Sequence, residues 1–127
     1  MREKIENLEK QSRLLDLDWN QREALLQQVG HYSQTYLENI PDAPTYAMPD
    51  DAKTFIQKAA IDENGIPFEQ ILGLLSDHVD NVGVNTASGR FTGYIPGGGL
   101  FPAAIGDYLV GIANRYAGWY GASPGAV

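Results

Sequence analysis

The residues with the strongest chemical character form the run Tyr94-Ile95-Pro96-Gly97-Gly98-Gly99-Leu100-Phe101-Pro102. Consecutive glycines let a backbone approach a ligand closely, and a helix opening at Pro102 offers free amides to an anion. The run lacks the Lys-Ser/Thr pair that completes a phosphate-binding loop, so it does not indicate a nucleotide. Its plainer reading is a flexible connector that feeds a helix. Asp107 and Arg115, eight apart, project the same way if one helix holds both. A charge inside an apolar helix needs a partner or water, so the pair reads as a ligand contact or as a structural ion pair. His78 follows Asp77 and precedes Asp80, a grouping that could move protons. Helix-surface histidines beside carboxylates are common, however, and neither His78 nor His31 is expected to be catalytic. No Ser-His-Asp or Cys-His constellation can be placed.

Composition narrows the classes further. The 127 residues contain no cysteine, which removes disulfide and thiolate chemistry. Two histidines without an HExxH-type pair argue against a zinc site. A net charge of −7 argues against a broad basic face for nucleic acid. The N-terminal Met-Arg-Glu-Lys-Ile-Glu is charged and has no apolar signal-peptide core, so cytoplasmic residence is expected.

The averages conceal an asymmetry. Residues 1–80 carry fifteen acidic and seven basic side chains, whereas residues 81–127 carry only Asp107, Arg90 and Arg115. The second stretch also holds 11 of the 14 glycines and seven of the 13 aromatics. So little charge leaves a large apolar patch unless something covers it. The chain closes on Gly121-Ala122-Ser123-Pro124-Gly125-Ala126-Val127, with no charged or helical tail. These features together lead to the expectation of a fragment, or of a subunit buried in an assembly.

The elements that must position these residues are helices and loops. Ile5, Leu8, Leu15, Trp19, Leu26 and Val29 fall mostly three, four or seven apart among good helix formers, predicting one amphipathic helix from Arg2 to about Val29. Gly30 is expected to interrupt it, with Tyr32, Tyr36, Leu37 and Ile40 continuing a second stripe to Pro41. The stripe Leu8, Leu15, Leu26, Val29 suits a dimer seam or intramolecular packing equally. Pro41, Pro44 and Pro49 predict an extended connector. Asp50 and Asp51 suit the start of a helix that buries Ala52, Phe55, Ile56 and Ala59. Asn64-Gly65 signals a turn, and Pro67 the first turn of a helix with Phe68, Ile71, Leu72, Leu75 and Val79 on one face. Asp77, His78 and Asp80 are expected off that face. Residues 81–102 read as loop. Pro102 then opens a helix to about Ala117, apolar on nearly every side and so expected to be buried in a core. Asp107, Asn114 and Arg115 make a membrane span a poor reading of it. The segment is mostly α: amphipathic helices, a Gly/Pro-rich loop and one buried helix.

The stretch Asn85-Thr86-Ala87-Ser88-Gly89-Arg90-Phe91-Thr92-Gly93-Tyr94-Ile95-Pro96-Gly97-Gly98-Gly99-Leu100-Phe101-Pro102-Ala103-Ala104-Ile105-Gly106-Asp107-Tyr108-Leu109 resembles the N-terminal part of the pyridoxal-phosphate-dependent group II amino-acid decarboxylases. So do Asn114-Arg115-Tyr116-Ala117-Gly118 and Ala122-Ser123-Pro124-Gly125-Ala126-Val127. That family includes the aromatic-L-amino-acid, histidine, glutamate and diaminobutyrate decarboxylases. The likeness is clear over residues 85–127 and looser over residues 1–84.

The resemblance implies a longer parent with a fold-type-I α/β domain, active as a homodimer whose N-terminal helices lie over the partner protomer. Residues 1–80 would then be the dimer-contacting helical segment, and residues 81–127 the substrate loop and first buried helix. Tyr94, Ile95, Pro96 and Gly97 take the positions of the family's loop at the substrate end of the active site. Ile95 stands where aromatic-amino-acid decarboxylases have Phe, and Gly97 where they have Thr. One aromatic wall and one hydroxyl are therefore absent, and an aromatic substrate is not implied. The family's cofactor-holding lysine, usually preceded by histidine, lies beyond position 127, as do its ring-pairing aspartate and phosphate loops. Lys4, Lys10, Lys53 and Lys58 do not follow a histidine. By this likeness the chain supplies dimer contacts and a substrate-side loop to a carboxy-lyase and is inactive alone, with no nucleic-acid or membrane partner. Two other readings compete: a non-catalytic helical module that pairs with a full-length subunit, and a free-standing helical domain that binds a small anion at the glycine-rich loop.

Overall fold

Two helices occupy the first forty residues, and the division between them follows the placement of charge. In a computed structural model, which describes residues 1–48, 65–94 and 99–125, α1 spans Arg2–Arg13 and α2 spans Trp19–Asn39. α1 places Glu3 in its first turn and Lys10 and Arg13 in its last, so each end complements the helix dipole. Pairs Arg2–Glu6 at 3.0 Å and Arg13–Glu9 at 2.6 Å lie one turn apart on its exposed surface.

The expected single helix from Arg2 to Val29 is broken, and not at Gly30. The amides of Leu14, Leu15 and Asp16 bond three residues back, to Gln11, Ser12 and Arg13, which tightens the last turn and ends α1. Asp18 then starts a new helix. Its backbone is extended (φ −71°, ψ 176°) and its carboxylate accepts the Gln21 amide at 2.8 Å. The Gln21 side chain accepts the Asp18 amide at 2.9 Å, completing a capping box. Arg22 adds a bond to the Leu17 carbonyl at 2.7 Å. Two satisfied amides at Asp18 outweigh the cost of about 1 kcal/mol for glycine inside a helix, and α2 runs through Gly30.

After α2 a single 3₁₀ turn, Ile40–Asp42, carries Pro41 near its start, and the chain then extends. Tyr46–Ala47 (β1) pairs antiparallel with Gly83–Val84 (β2), Tyr46 opposite Val84 and Ala47 opposite Gly83. The Asn85 amide continues the ladder to the Thr45 carbonyl at 2.9 Å. This ribbon was not expected from a sequence read as helix and loop. Two residues per strand are too few to show an alternating pattern. Gly83 enters it with φ +79°, a conformation that glycine supplies without strain.

The helix expected at residues 50–59 lies outside the described residues. Gly65, at φ +65°, fits the turn signal. α3 spans Phe68–Leu75 with Pro67 as its N-cap, and Ser76–Asp80 continue it as one π turn closed by the Asn81 amide on the Ser76 carbonyl at 3.1 Å. Leu72, Ser76 and Asp80 are half-buried while Val79 is exposed, so Asp80, expected off the packed face, is on it.

Among the described residues, the chain forms two units, Met1–Gly93 and Tyr94–Val127. The first contains every element above, and residues 81–93 belong to it through β2. In the second, α4 spans Phe101–Ala113 and ends four residues earlier than expected. Asn114 ends it in the left-handed region (φ 41°), where its short polar side chain tolerates the backbone, and its amide closes on Val110 at 2.9 Å. The expected burial of this helix is not realised in the chain by itself. Ile105, Leu109, Val110 and Ile112 are 45, 58, 71 and 67 % exposed. A helix apolar on most sides needs cover on several faces, and the described residues of its unit form no second helix or strand to supply it. No apolar side chain among the described residues is buried. None of the described helices is long and apolar enough to cross a membrane.

Candidate functional site

The loop that leads to Tyr94 is built on one serine. Ser88 is nearly inaccessible, at 4 % exposure. Its hydroxyl donates to the Ala43 carbonyl at 2.7 Å and accepts the Arg90 amide at 3.2 Å, so one side chain ties residues 85–91 to the proline-rich connector. Asn85 prepares the turn by accepting the Ala87 amide on its side chain at 3.0 Å. The Phe91 amide bonds the Ser88 carbonyl at 3.0 Å, and Arg90 reaches Asp42 at 3.7 Å across solvent.

Glycine leaves room for a close aromatic neighbour two residues later. A Cβ at Gly93 would lie 3.0 Å from the Phe91 ring, which folds over it. Tyr94 follows with φ 56°, a left-handed backbone at a large side chain, and is 95 % exposed. A left-handed backbone is uncommon in a bulky residue. Of the four loop residues singled out by sequence, Tyr94 is described; Ile95, Pro96 and Gly97 lie outside the described residues. At the far side of the glycine run, α4 begins with Leu100 as a cap that makes no side-chain bond.

The other candidates are rearranged. Asp107 is on α4, but Arg115 lies past the left-handed Asn114, so the two do not share a helix and no ion pair joins them. The stripe Leu8, Leu15, Leu26, Val29 is divided by the Asp18 cap and is exposed along its length. Asp77 is exposed, His78 is half-buried in the π turn, and Asp80 faces α2.

A second concave site lies in the first unit, between α2 and the π turn. Tyr32 and Tyr36, one helical turn apart, meet Leu72, Ser76 and Asp80 around a groove of about 280 Å³, with His31 and Asn39 also along it. The Tyr32 hydroxyl donates to the Asp80 carboxylate in a short bond. Partial burial, followed by that bond and the Asp80 charge, pushes the Tyr32 phenol up to about 12, with smaller contributions from Tyr36 and Asp77. The phenol is therefore a neutral donor across the physiological range. Sequence reading takes Tyr32 and Tyr36 as apolar stripe and Asp80 as surface. The available signal was the spacing of Tyr32, Tyr36 and Asn39, which places three polar tips on one face of α2.

The residues were also tested against a pyridoxal-phosphate site. Imine formation needs an amine enclosed beside the reacting carbonyl. Lys4 and Lys10 stand exposed on α1, and Lys53 and Lys58 lie outside the described residues. The described residues do not fit that cofactor. Among them, no group of three or more His, Cys, Asp and Glu gathers to hold a metal. Comparison of the chain with family models, with curated proteins and with solved structures returns no match.

Proposed function

We propose that this chain is the N-terminal portion of a pyridoxal-phosphate-dependent amino-acid decarboxylase. In this reading residues 1–80 contribute dimer contacts and the run Tyr94-Ile95-Pro96-Gly97 forms one wall of the substrate site. The observation that carries the reading is the footing of Tyr94. A substrate wall must be both rigidly seated and open to its ligand. The loop before Tyr94 is fixed to the connector through Ser88, and Tyr94 itself is turned out by a left-handed backbone. The uncovered apolar faces of α4 are a second support. Burying a leucine or isoleucine is worth about 1.5–3 kcal/mol, and Ile105, Leu109, Val110 and Ile112 leave roughly half of that unrealised until further protein covers them.

In this reading the cofactor would be held by residues outside this chain, where it would supply the electron sink for decarboxylation. This chain's own residues would act by shaping the substrate end of the site and joining protomers. A non-catalytic module that pairs with a full-length subunit would use the same apolar faces of α4.

The deciding experiment captures the native product from its source with an antibody raised against residues 1–48. Its mass is measured, and CO2 release is assayed with added pyridoxal phosphate and each amino acid in turn. The expected result is a mass several times 13.9 kDa and release from one or a few amino acids. A product of 13.9 kDa that co-purifies with a larger subunit selects the module instead. Turnover by the purified 127-residue chain would overturn both.

A further inference from the structure

The groove between α2 and the π turn plays no part in the decarboxylase reading, and its chemistry is distinct. Among the described residues its lining carries one carboxylate, that of Asp80, and no lysine or arginine, with His31 at its edge. A half-buried carboxylate is costly until it is compensated. The bond that Asp80 accepts comes from the Tyr32 hydroxyl, a neutral donor that leaves the negative charge in place. Tyr36, Asn39 and Ser76 add a ring, a carboxamide and a hydroxyl to the same walls. The surrounding sequence deepens the field, since residues 1–80 carry a net charge of −8.

We propose that this groove is a binding site for a small organic ammonium, with the Asp80 carboxylate accepting its N–H donors and the rings of Tyr32 and Tyr36 bordering its apolar stem. Three features select this ligand class. An anion would meet the Asp80 charge with no lysine or arginine among the described lining residues to offset it. A divalent metal ion would want several oxygen ligands, usually with more than one carboxylate, and Asp80 is the one carboxylate in the lining. The volume, about 280 Å³, is at the lower edge of the range for small-molecule pockets and suits a short aliphatic amine rather than a peptide or nucleotide.

The Tyr32–Asp80 bond has a defined part in this site. It holds the carboxylate in the groove wall and occupies one oxygen, leaving the group's remaining acceptor capacity for a ligand.

The test is a titration of the isotope-labelled full chain with n-butylamine, 1-butanol and butyrate, three probes of similar length that differ in charge, read by amide chemical shifts. Saturable shifts at Tyr32, Ser76 and Asn81 are expected with n-butylamine, with affinity for 1-butanol about ten-fold weaker and no response to butyrate. Asp80→Asn keeps an acceptor for the Tyr32 hydroxyl while removing the charge, and it is expected to abolish the preference for amine over alcohol. Tyr32→Phe removes the hydroxyl and keeps the charge, so it should retain that preference. Equal affinity for amine and alcohol in the unmodified chain overturns the proposal. So does a preference for amine over alcohol that survives Asp80→Asn, or no saturable response to n-butylamine into the millimolar range. These readouts concern binding to this chain alone, so their failure leaves the decarboxylase reading standing.

Discussion

Tyr32 on α2 donates its phenolic hydrogen to the carboxylate of Asp80 in the π turn, joining two elements 48 residues apart in the chain. Leu72, Ser76 and Asp80 follow one another at four-residue intervals, which brings Asp80 to the side that faces α2.

Alkaline titration should isolate this bond. The Tyr32 phenol is raised from its ordinary value near 10 to about 12, so the folded state holds its proton after the unfolded state has released it. The stabilisation is complete below pH 10 and is lost as pH rises through about 12. Tyrosinate absorbance should show one of the seven tyrosines titrating about two units late, and Tyr32→Phe should remove that phase. A late phase that persists in Tyr32→Phe would assign it elsewhere.

The capping box predicts a local loss of helix. Asp18→Ala removes the acceptor of the Gln21 amide and is expected to cost about 1 kcal/mol. Hydrogen exchange should quicken at the first-turn amides of α2 and remain unchanged in α1, because the two helices are separately terminated.

Ser88 makes a sharper case. Ser88→Ala leaves the Ala43 carbonyl and the Arg90 amide without their shared hydroxyl, at a cost of about 1 kcal/mol or more. Denaturant unfolding should register the loss, and the amide resonances of Asn85, Arg90 and Phe91 should shift. Arg90→Gln is the control. Its 3.7 Å pair with Asp42 is solvent-exposed on both sides and should leave the midpoint where it is.

The apolar residues of α4 predict self-association of the isolated chain. Leu109 and Ile112 are 58 and 67 % exposed, and a patch of that character drives non-specific contact in water. Sedimentation should show mass rising with concentration, and Leu109→Glu combined with Ile112→Glu should suppress the rise. An unmodified chain that stays monomeric at high concentration would mean these residues are covered in solution.

Helical character, the loop from Asn85 onward and the apolar nature of α4 were all legible in the sequence, because periodicity and the content of glycine, proline and charge are local properties. Asn85, Ser88 and Gly93 sit where turn chemistry places such residues. What escaped sequence reading rests on competition between local signals and on distant contacts. Gly30 looked like the break in the first helix, yet the reciprocal bonds of Asp18 and Gln21 set the boundary twelve residues earlier. Asn114 resembled one more polar residue in a helix until its left-handed backbone separated Asp107 from Arg115.

The amino-acid sequence alone therefore determined that the described chain is mostly helical, where charge is concentrated and that α4 is apolar on most sides. Tertiary structure decided that Asp80 meets Tyr32 and that Ser88 meets Ala43. It also decided that a short ribbon closes between residues 46 and 84. The physical reason is distance along the chain. Each of these contacts joins residues about forty or more positions apart, and no local periodicity encodes such a pairing. It forms only when packing brings the partners into register.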